Sequence, residues 1–319
     1  MLRNYVKPLL KSVIVDTIKA PIRYYTPRRA LMYVPGDDLK KIHKAFLLDA
    51  DCIVLDCEDG VAVNKKVQAR INIREILDKG KPQRKRPYDF AVRINSFASE
   101  LIKDDLSVLV TGKNLPNTIY LPKVECVEHL EMFSAYLNEY IKTKSKIGLI
   151  MAIESAFALV KVVDICKAAR KMSEICKFTP VALLFGSDDF CASIGAKRTE
   201  SSFEVTYARQ KIVTVAKAFN LQAIDMVYIK YKDPEGLKTQ AEQGAQLGFS
   251  GKQVIHPDQI DITQKAFMPS PDQIKWAQDI LNAFYKHQNE GKGAFSYKGQ
   301  MIDMPTVKQA QNIVDLANE

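Results

Sequence analysis

The residues of this chain able to do chemistry collect just after short apolar runs. Pro35-Gly36-Asp37-Asp38 follows the first run, and Asp56-Cys57-Glu58-Asp59-Gly60 follows the second. Arg93 and Asn95 close the third, and Lys123 and Glu125 the fourth. Glu154-Ser155 follows the fifth, Gly186-Ser187-Asp188-Asp189 the sixth, Asp225 the seventh and His256-Pro257 the eighth. Hard oxygen ligands without convergent histidines or cysteines suit Mg²⁺ or Mn²⁺ rather than zinc, and Mg²⁺ commonly takes one or two carboxylates plus substrate and water. The four histidines form no H-x-H or H-E-x-x-H pattern, and no nucleophile elbow is present. A Schiff-base mechanism has one strand-borne lysine to draw on, Lys123, whose other reading is an ion pair beside Pro122 and Glu125.

The runs that carry these residues are 30–34, 52–55, 90–94, 118–121, 147–153, 181–185, 222–224 and 253–255. Nearly continuous apolar runs are expected of parallel strands buried on both faces. Amphipathic, helix-like stretches separate them. Eight strand-then-helix units predict a (β/α)₈ barrel, whose active site lies at the C-terminal strand ends. An open doubly wound sheet is the alternative, but no G-x-G-x-x-G follows the first run. The barrel is placed at residues 27–268. Pro269-Ser-Pro271 opens an extension over 269–319: a helix over 272–288, a glycine-bearing stretch over 291–299, and a last helix behind Met301-Ile-Asp303-Met-Pro305. Asp303, set among apolar neighbours, reads either as a partly desolvated acid with a raised pKa or as the N-cap of that helix.

With 47% hydrophobic and 26% charged residues, the composition is that of a globular protein with a substantial core. A net charge of +9 calls for an acidic partner such as nucleic acid, a membrane surface or a phosphorylated small molecule. Part of the excess is local: Arg3, Lys7, Lys11, Lys19 and Arg23 face only Asp16 in the first 25 residues. Leu2, Val6, Leu9, Leu10 and Val13 lie at helical spacing beside that basic row, so residues 1–26 read as a mitochondrial transit segment, or else as a basic surface helix or tail. No basic stripe with interleaved aromatics follows, which argues against nucleic-acid binding. No run reaches the ~20 apolar residues of a membrane span. Six cysteines without C-x-x-C spacing read as reduced core residues.

Several of these segments together resemble the HpcH/HpaI aldolase/citrate lyase β family. They are Leu31-Met-Tyr33-Val-Pro-Gly36, Asp56-Cys-Glu58-Asp59-Gly60, Val92-Arg93-Ile-Asn95, Leu121-Pro-Lys-Val-Glu125, Glu154-Ser-Ala, Phe185-Gly-Ser-Asp-Asp189-Phe and Gly251-Lys-Gln-Val-Ile-His-Pro257. Tyr207-Ala-Arg-Gln-Lys-Ile, Leu221-Gln-Ala-Ile-Asp-Met-Val-Tyr, Gly291-Lys-Gly-Ala-Phe and Met301-Ile-Asp-Met-Pro305 narrow it to the mitochondrial acyl-CoA lyases of that family. The resemblance is collinear over roughly residues 27–315. It implies a Mg²⁺-dependent carbon–carbon lyase acting on a CoA thioester and a small α-keto acid, with malate synthase chemistry as a neighbouring possibility. It further implies that Glu154 and Asp189 hold Mg²⁺ and that Arg93 binds substrate, the other reading of Arg93 being an ion pair with Glu58 or Asp59. Tyr33, Lys40, Lys44, Gln253 and Val254 are implied as CoA contacts, the two lysines one turn apart for phosphates. Asp303 is implied as the catalytic acid/base, reaching the site of a neighbouring subunit in a homotrimer. Glu154-Ser155 and Gly186-Ser187-Asp188 depart from the family's Glu-Thr and Gly-Gly-Glu while keeping hydroxyl and charge.

Overall fold

A computed structural model describes residues 26–84, 86–289 and 295–317; the first 25 residues, with their targeting reading, and residues 85, 290–294 and 318–319 lie outside it. Eight parallel strands close on themselves: β1 (Ala30–Pro35), β2 (Cys52–Asp56), β3 (Asp89–Arg93), β4 (Thr118–Leu121), β5 (Ile147–Ile153), β6 (Phe178–Phe185), β7 (Gln222–Asp225) and β8 (Gly251–Val254). Closure is the pairing of β8 with β1, Leu31 opposite Gln253. The fold is the (β/α)₈ barrel that the eight runs predict.

Alternation along each strand builds two cores, because successive side chains point to opposite faces. Leu31, Val54, Ala91, Tyr120, Ala152 and Leu184 fill the barrel interior. Their neighbours Met32, Ile53, Leu55, Val92 and Ile153 face the surrounding helices. That double burial is why the runs read as continuously apolar. All six cysteines are free, and five are buried.

Three strands start earlier than the apolar runs suggest, β3 by one residue at Asp89. β6 begins at Phe178, with its pairing to β5 shifted between Leu149 and Ile150 beside Pro180, which has no N–H to give the ladder. β8 begins at Gly251, where a Cβ would lie 2.0 Å from the Arg28 carbonyl oxygen, so only glycine fits. Lys252 follows, fully buried, donating to the Met226 carbonyl at 2.6 Å and to Gln240 at 2.7 Å. A charged residue inside a strand hides it from a hydrophobicity pattern.

The helices that line the mouth follow their strands closely. α1 (Leu39–Ala45) is capped by Asp38, which accepts from the Lys41 amide at 3.0 Å. α2 (Lys66–Lys79), α3 (Ile102–Leu109) and α4 (Val127–Tyr140) follow β2, β3 and β4. α5 (Ala156–Met172) is capped by Ser155 and α6 (Ser187–Ile194) starts directly after β6. α7 (Thr206–Ala218), α8 (Pro234–Leu247) and α9 (Gln259–Ala266) complete the ring.

Beyond the barrel, α10 (Pro271–Asn289), a hairpin of β9 (Phe295–Tyr297) and β10 (Gln300–Ile302), and α11 (Met304–Ala317) pack on one another. The hairpin turns on Lys298 and Gly299, both at positive φ, as a two-residue turn requires. Ala277, Ile280, Phe284, Ile302, Val307 and Ala310 form a core of their own. Among the described residues, no helix is long and apolar enough to cross a membrane.

Candidate active site at the mouth of the barrel

Side chains two residues apart on a strand share a face, so the interior positions continue upward past the apolar floor into polar residues. Above Val54 stands Asp56, above Ala91 stands Arg93, above Ala152 stands Glu154, and above Leu31 stands Tyr33. They line a cleft of about 400 Å³ with Tyr120, Asp189 and Gln253. A larger cleft, about 810 Å³, lies at the other end of the barrel near Pro27, Ser250 and Leu316; it holds none of the strand-end acids.

Arg93 organises one side of the mouth. Its Nε and Nη2 donate to Asp56 at 2.7 and 2.6 Å, a bidentate pair across the β2–β3 register, and its Nη1 lies 2.9 Å from Glu58. The guanidinium also sits over the Tyr33 ring, 4.8 Å from its centroid. Asp56 in turn accepts from the amides of Glu58 and Gly60, both at 2.8 Å, which shapes the loop carrying Glu58. Arg93 therefore lines the cleft and is ion-paired at once, chiefly to Asp56, a partner the motif reading did not name. Lys123, at φ 50°, lies 3.0 Å from Glu58 and 3.5 Å from Asp189. It is the expected ion pair, made with acids across the mouth rather than with Glu125.

Glu154 and Asp189 come together at the opposite wall. Asp189 sits in the first turn of α6, where backbone N–H groups favour negative charge, and its side chain is 52% exposed. Glu154 is 6% exposed; its Oε1 accepts from the Tyr120 hydroxyl at 3.3 Å, while its Oε2 is buried without a partner. Burial first, and then the charges of Glu58 and Asp189, push the Glu154 carboxyl up to about 8. Gly186 makes room for it, since a Cβ there would lie 2.5 Å from Glu154 Cγ.

That raised carboxyl has a signed consequence for stability. Between roughly pH 4.5, the ordinary glutamate value, and about 8, the folded chain keeps a proton that the unfolded chain has lost. Its contribution is complete below that window and disappears as pH rises through it, with a slope of at most about 1.4 kcal/mol per pH unit. Urea unfolding in EDTA at pH 5 to 8 should show this slope in the wild type and lose it in Glu154→Gln. Equal slopes in the two proteins would place the cause elsewhere.

The residues fit a divalent cation. An unpartnered buried carboxylate oxygen beside a second acid is the kind of orphan that a hard cation satisfies. Ser187 Oγ, on the same cleft, is also buried without a partner. Among the described residues, no three His, Cys, Asp or Glu side chains converge as a metal cage. A two-carboxylate site is one that Mg²⁺ uses.

The other residues named from sequence fall in different places. Tyr33 donates to Gln253 Oε1 at 2.8 Å, and both line the cleft. Val254 does not: one residue beyond inward-facing Gln253, its side chain points the other way, into the outer core. Lys40 and Lys44 are both exposed on α1, outside the cleft lining. Asp303 is exposed between β10 and α11 and caps that helix, accepting from the Thr306 amide at 3.1 Å and hydroxyl at 2.9 Å. The Thr306 bonds hold its carboxyl below the usual range, the reverse of the rise expected from apolar flanks. Those flanks do not bury it, because Met301 is 81% exposed and Ile302 is turned into the extension's own core.

Comparison with known proteins supplies the family. The family model described as HpcH/HpaI aldolase/citrate lyase matches residues 29–257. The human "Citramalyl-CoA lyase, mitochondrial" is 47% identical over 299 residues, covering 92% of this chain and 86% of its own. The protein of the same name from Rattus norvegicus is 44% identical over 322 residues, covering 97% and 94%. Among solved structures, protein CitE from Mycobacterium tuberculosis in complex with magnesium, acetoacetate and coenzyme A superposes with a TM-score of 0.72. It is 28% identical, over 93% of this chain and 100% of that one. From its strand-end acids to its sequence relatives, the chain belongs to the HpcH/HpaI aldolase/citrate lyase family.

Proposed function

We propose that the protein is a Mg²⁺-dependent lyase that cleaves (3S)-citramalyl-CoA to acetyl-CoA and pyruvate. The observation that carries the reading is Glu154, buried with one oxygen unpartnered, beside Asp189 in a cleft that also holds Arg93. Its likeness to two mammalian citramalyl-CoA lyases supplies the substrate. Glu154 and Asp189 would hold Mg²⁺, which as a Lewis acid stabilises negative charge on the substrate's oxygens.

In cleavage the proton of the tertiary hydroxyl passes to solvent water as the bond from that carbon to the methylene next to the thioester breaks. The electron pair passes to the thioester as the enolate of acetyl-CoA. Arg93, fixed by Asp56 and Tyr33, presents a preorganised cation to charge that develops on oxygen, which costs no reorganisation at the moment of reaction. Lys40 and Lys44, one turn apart and exposed in the first and last turns of α1, would meet CoA phosphates.

We assign protonation of the enolate to Asp303 of a neighbouring subunit in a homotrimer. Two features support this: Asp303 is exposed on the extension, and it does not line the cleft of its own chain. Exposed, it is an ionised base suited to taking a proton from acetyl-CoA in the condensing direction; burial in a neighbour's cleft would raise its pKa for the reverse step. Mitochondrial residence is part of the same proposal, supported by the basic first 25 residues and by the names of the mammalian relatives.

Purified protein incubated with citramalyl-CoA should release acetyl-CoA and pyruvate in equal amounts. EDTA should stop the release and Mg²⁺ restore it. Cleavage that proceeds unchanged in EDTA would sink the metal assignment, and no cleavage in any condition would sink the substrate. Gly186→Ala drives a methyl group into Glu154 and should weaken the Mg²⁺ requirement's half-saturation by about 10–100-fold, as displacing a ligand's support does. A Mg²⁺ titration of activity reads it, and an unchanged midpoint would show that Glu154 tolerates the shift.

A further inference from the structure

Tyr120 lines the cleft from β4. It is 1% exposed, the largest side chain of the barrel interior, and its hydroxyl reaches two oxygens: Tyr33 at 3.2 Å and Glu154 Oε1 at 3.3 Å. A phenol has one proton, so the question is which oxygen receives it.

The answer starts at Gln253. Its Nε2 donates to the carbonyls of Phe185 at 2.8 Å and Asp225 at 2.9 Å. Flipping the amide would set its carbonyl against two other carbonyls, so its orientation is fixed and Oε1 must face Tyr33. The Tyr33 proton is committed to that oxygen at 2.8 Å. Tyr33 can then offer no proton to Tyr120 or Glu154. Between the neutral Tyr33 oxygen and Glu154 in the ionised form that would hold a cation, the carboxylate makes the stronger, charge-assisted bond. The two oxygens of Glu154 are thereby made different: Oε1 is tied to Tyr120, and Oε2, buried, is left without any protein partner.

We propose that Tyr120 is a positioning residue for Glu154, its hydroxyl holding Oε1 so that Oε2 is the oxygen presented to the cation, with Gln253 and Tyr33 setting the direction of the hydrogen bonds. The inference rests on the Mg²⁺ site proposed above and concerns how that site is made rigid. Tyr120 touches neither substrate nor cation in this scheme.

The experiment is Mn²⁺ binding, followed by loss of the free-ion electron paramagnetic resonance signal, in wild type and Tyr120→Phe. Mn²⁺ shares the oxygen-ligand preference of Mg²⁺. Removing an outer partner of a ligand typically costs 10–100-fold in metal affinity, and that weakening is the expected result. Turnover at saturating Mg²⁺ should recover most of its wild-type kcat, with the loss concentrated in the Mg²⁺ midpoint. Mn²⁺ affinity equal to wild type in Tyr120→Phe overturns the proposal, whatever happens to Tm, because a purely structural tyrosine predicts that pattern. If Tyr120→Phe does not fold by circular dichroism, Tyr120→Met removes the same hydroxyl and is read the same way. Wild-type protein that binds no Mn²⁺ at all defeats the metal assignment instead, so the two failures are distinguishable.

Discussion

Asp303→Ala should lower citramalyl-CoA turnover by about 10²–10⁴-fold, the usual worth of a positioned general acid. Mg²⁺ binding and the barrel should be unaffected, since Asp303 lies outside the cleft of its own chain and bonds only locally to Thr306. Loss of the cap to α11 should appear as a small drop in the melting of the extension. The assignment to a neighbouring subunit makes a sharper demand. Mixing inactive Asp303→Ala with inactive Arg93→Met under conditions that exchange subunits should restore activity, because some sites then combine an intact cleft with an intact Asp303. No recovery after verified exchange would place Asp303 in its own chain's chemistry, or in none. Full activity in Asp303→Ala alone would remove it from the mechanism.

Arg93→Met has the second large effect, on stability as well as rate. Arg93 neutralises Asp56, 2% exposed at its side chain, and faces Glu58, 6% exposed. Methionine fills much of the space but leaves Asp56 buried without its cation, while Glu58 keeps Lys123 at 3.0 Å, and breaking a buried pair this way costs about 3–5 kcal/mol. Urea unfolding should show the loss, and Arg93→Met combined with Asp56→Asn should recover part of it. Turnover should fall about 10²–10³-fold in both, as for loss of a preorganised electrostatic donor. A double variant no more stable than the single would mean the destabilisation comes from packing over Tyr33 and not from charge.

Much of the mouth is readable from parity once the strands are found. Val54 and Asp56, Ala91 and Arg93, and Ala152 and Glu154 are each two residues apart, so a strand that buries the first inward must point the second inward too. The same rule shows that Gln253 and Val254 cannot both line the cleft with their side chains, although a motif names them together. What parity leaves out is set by contacts distant in sequence. Lys123 meets Glu58 and Asp189 only because β4 stands between the strands that carry them, and its neighbour Glu125 looked the simpler partner. Lys252 hides a strand start because its ammonium is met by Asp225, Met226 and Gln240, which no local pattern reveals. The sequence around Asp303 suggests desolvation, but its apolar neighbours turn to solvent or into a separate core, and a threonine three residues on lowers the pKa instead.

The acids gathered at the mouth also fix an order of arrival. With Glu154 holding its proton near neutral pH and Asp188 paired with Arg198, the formal charges left are four carboxylates, Asp56, Glu58, Asp59 and Asp189, against two cations, Arg93 and Lys123. The difference, four minus two, leaves an entrance carrying about two negative charges, which repels an anionic substrate. A divalent ion held by Glu154 as a carboxylate displaces that proton and brings the entrance to about one negative charge. An acid-lined entrance of this kind should act as a turnstile, with thioester affinity rising once the cation is bound.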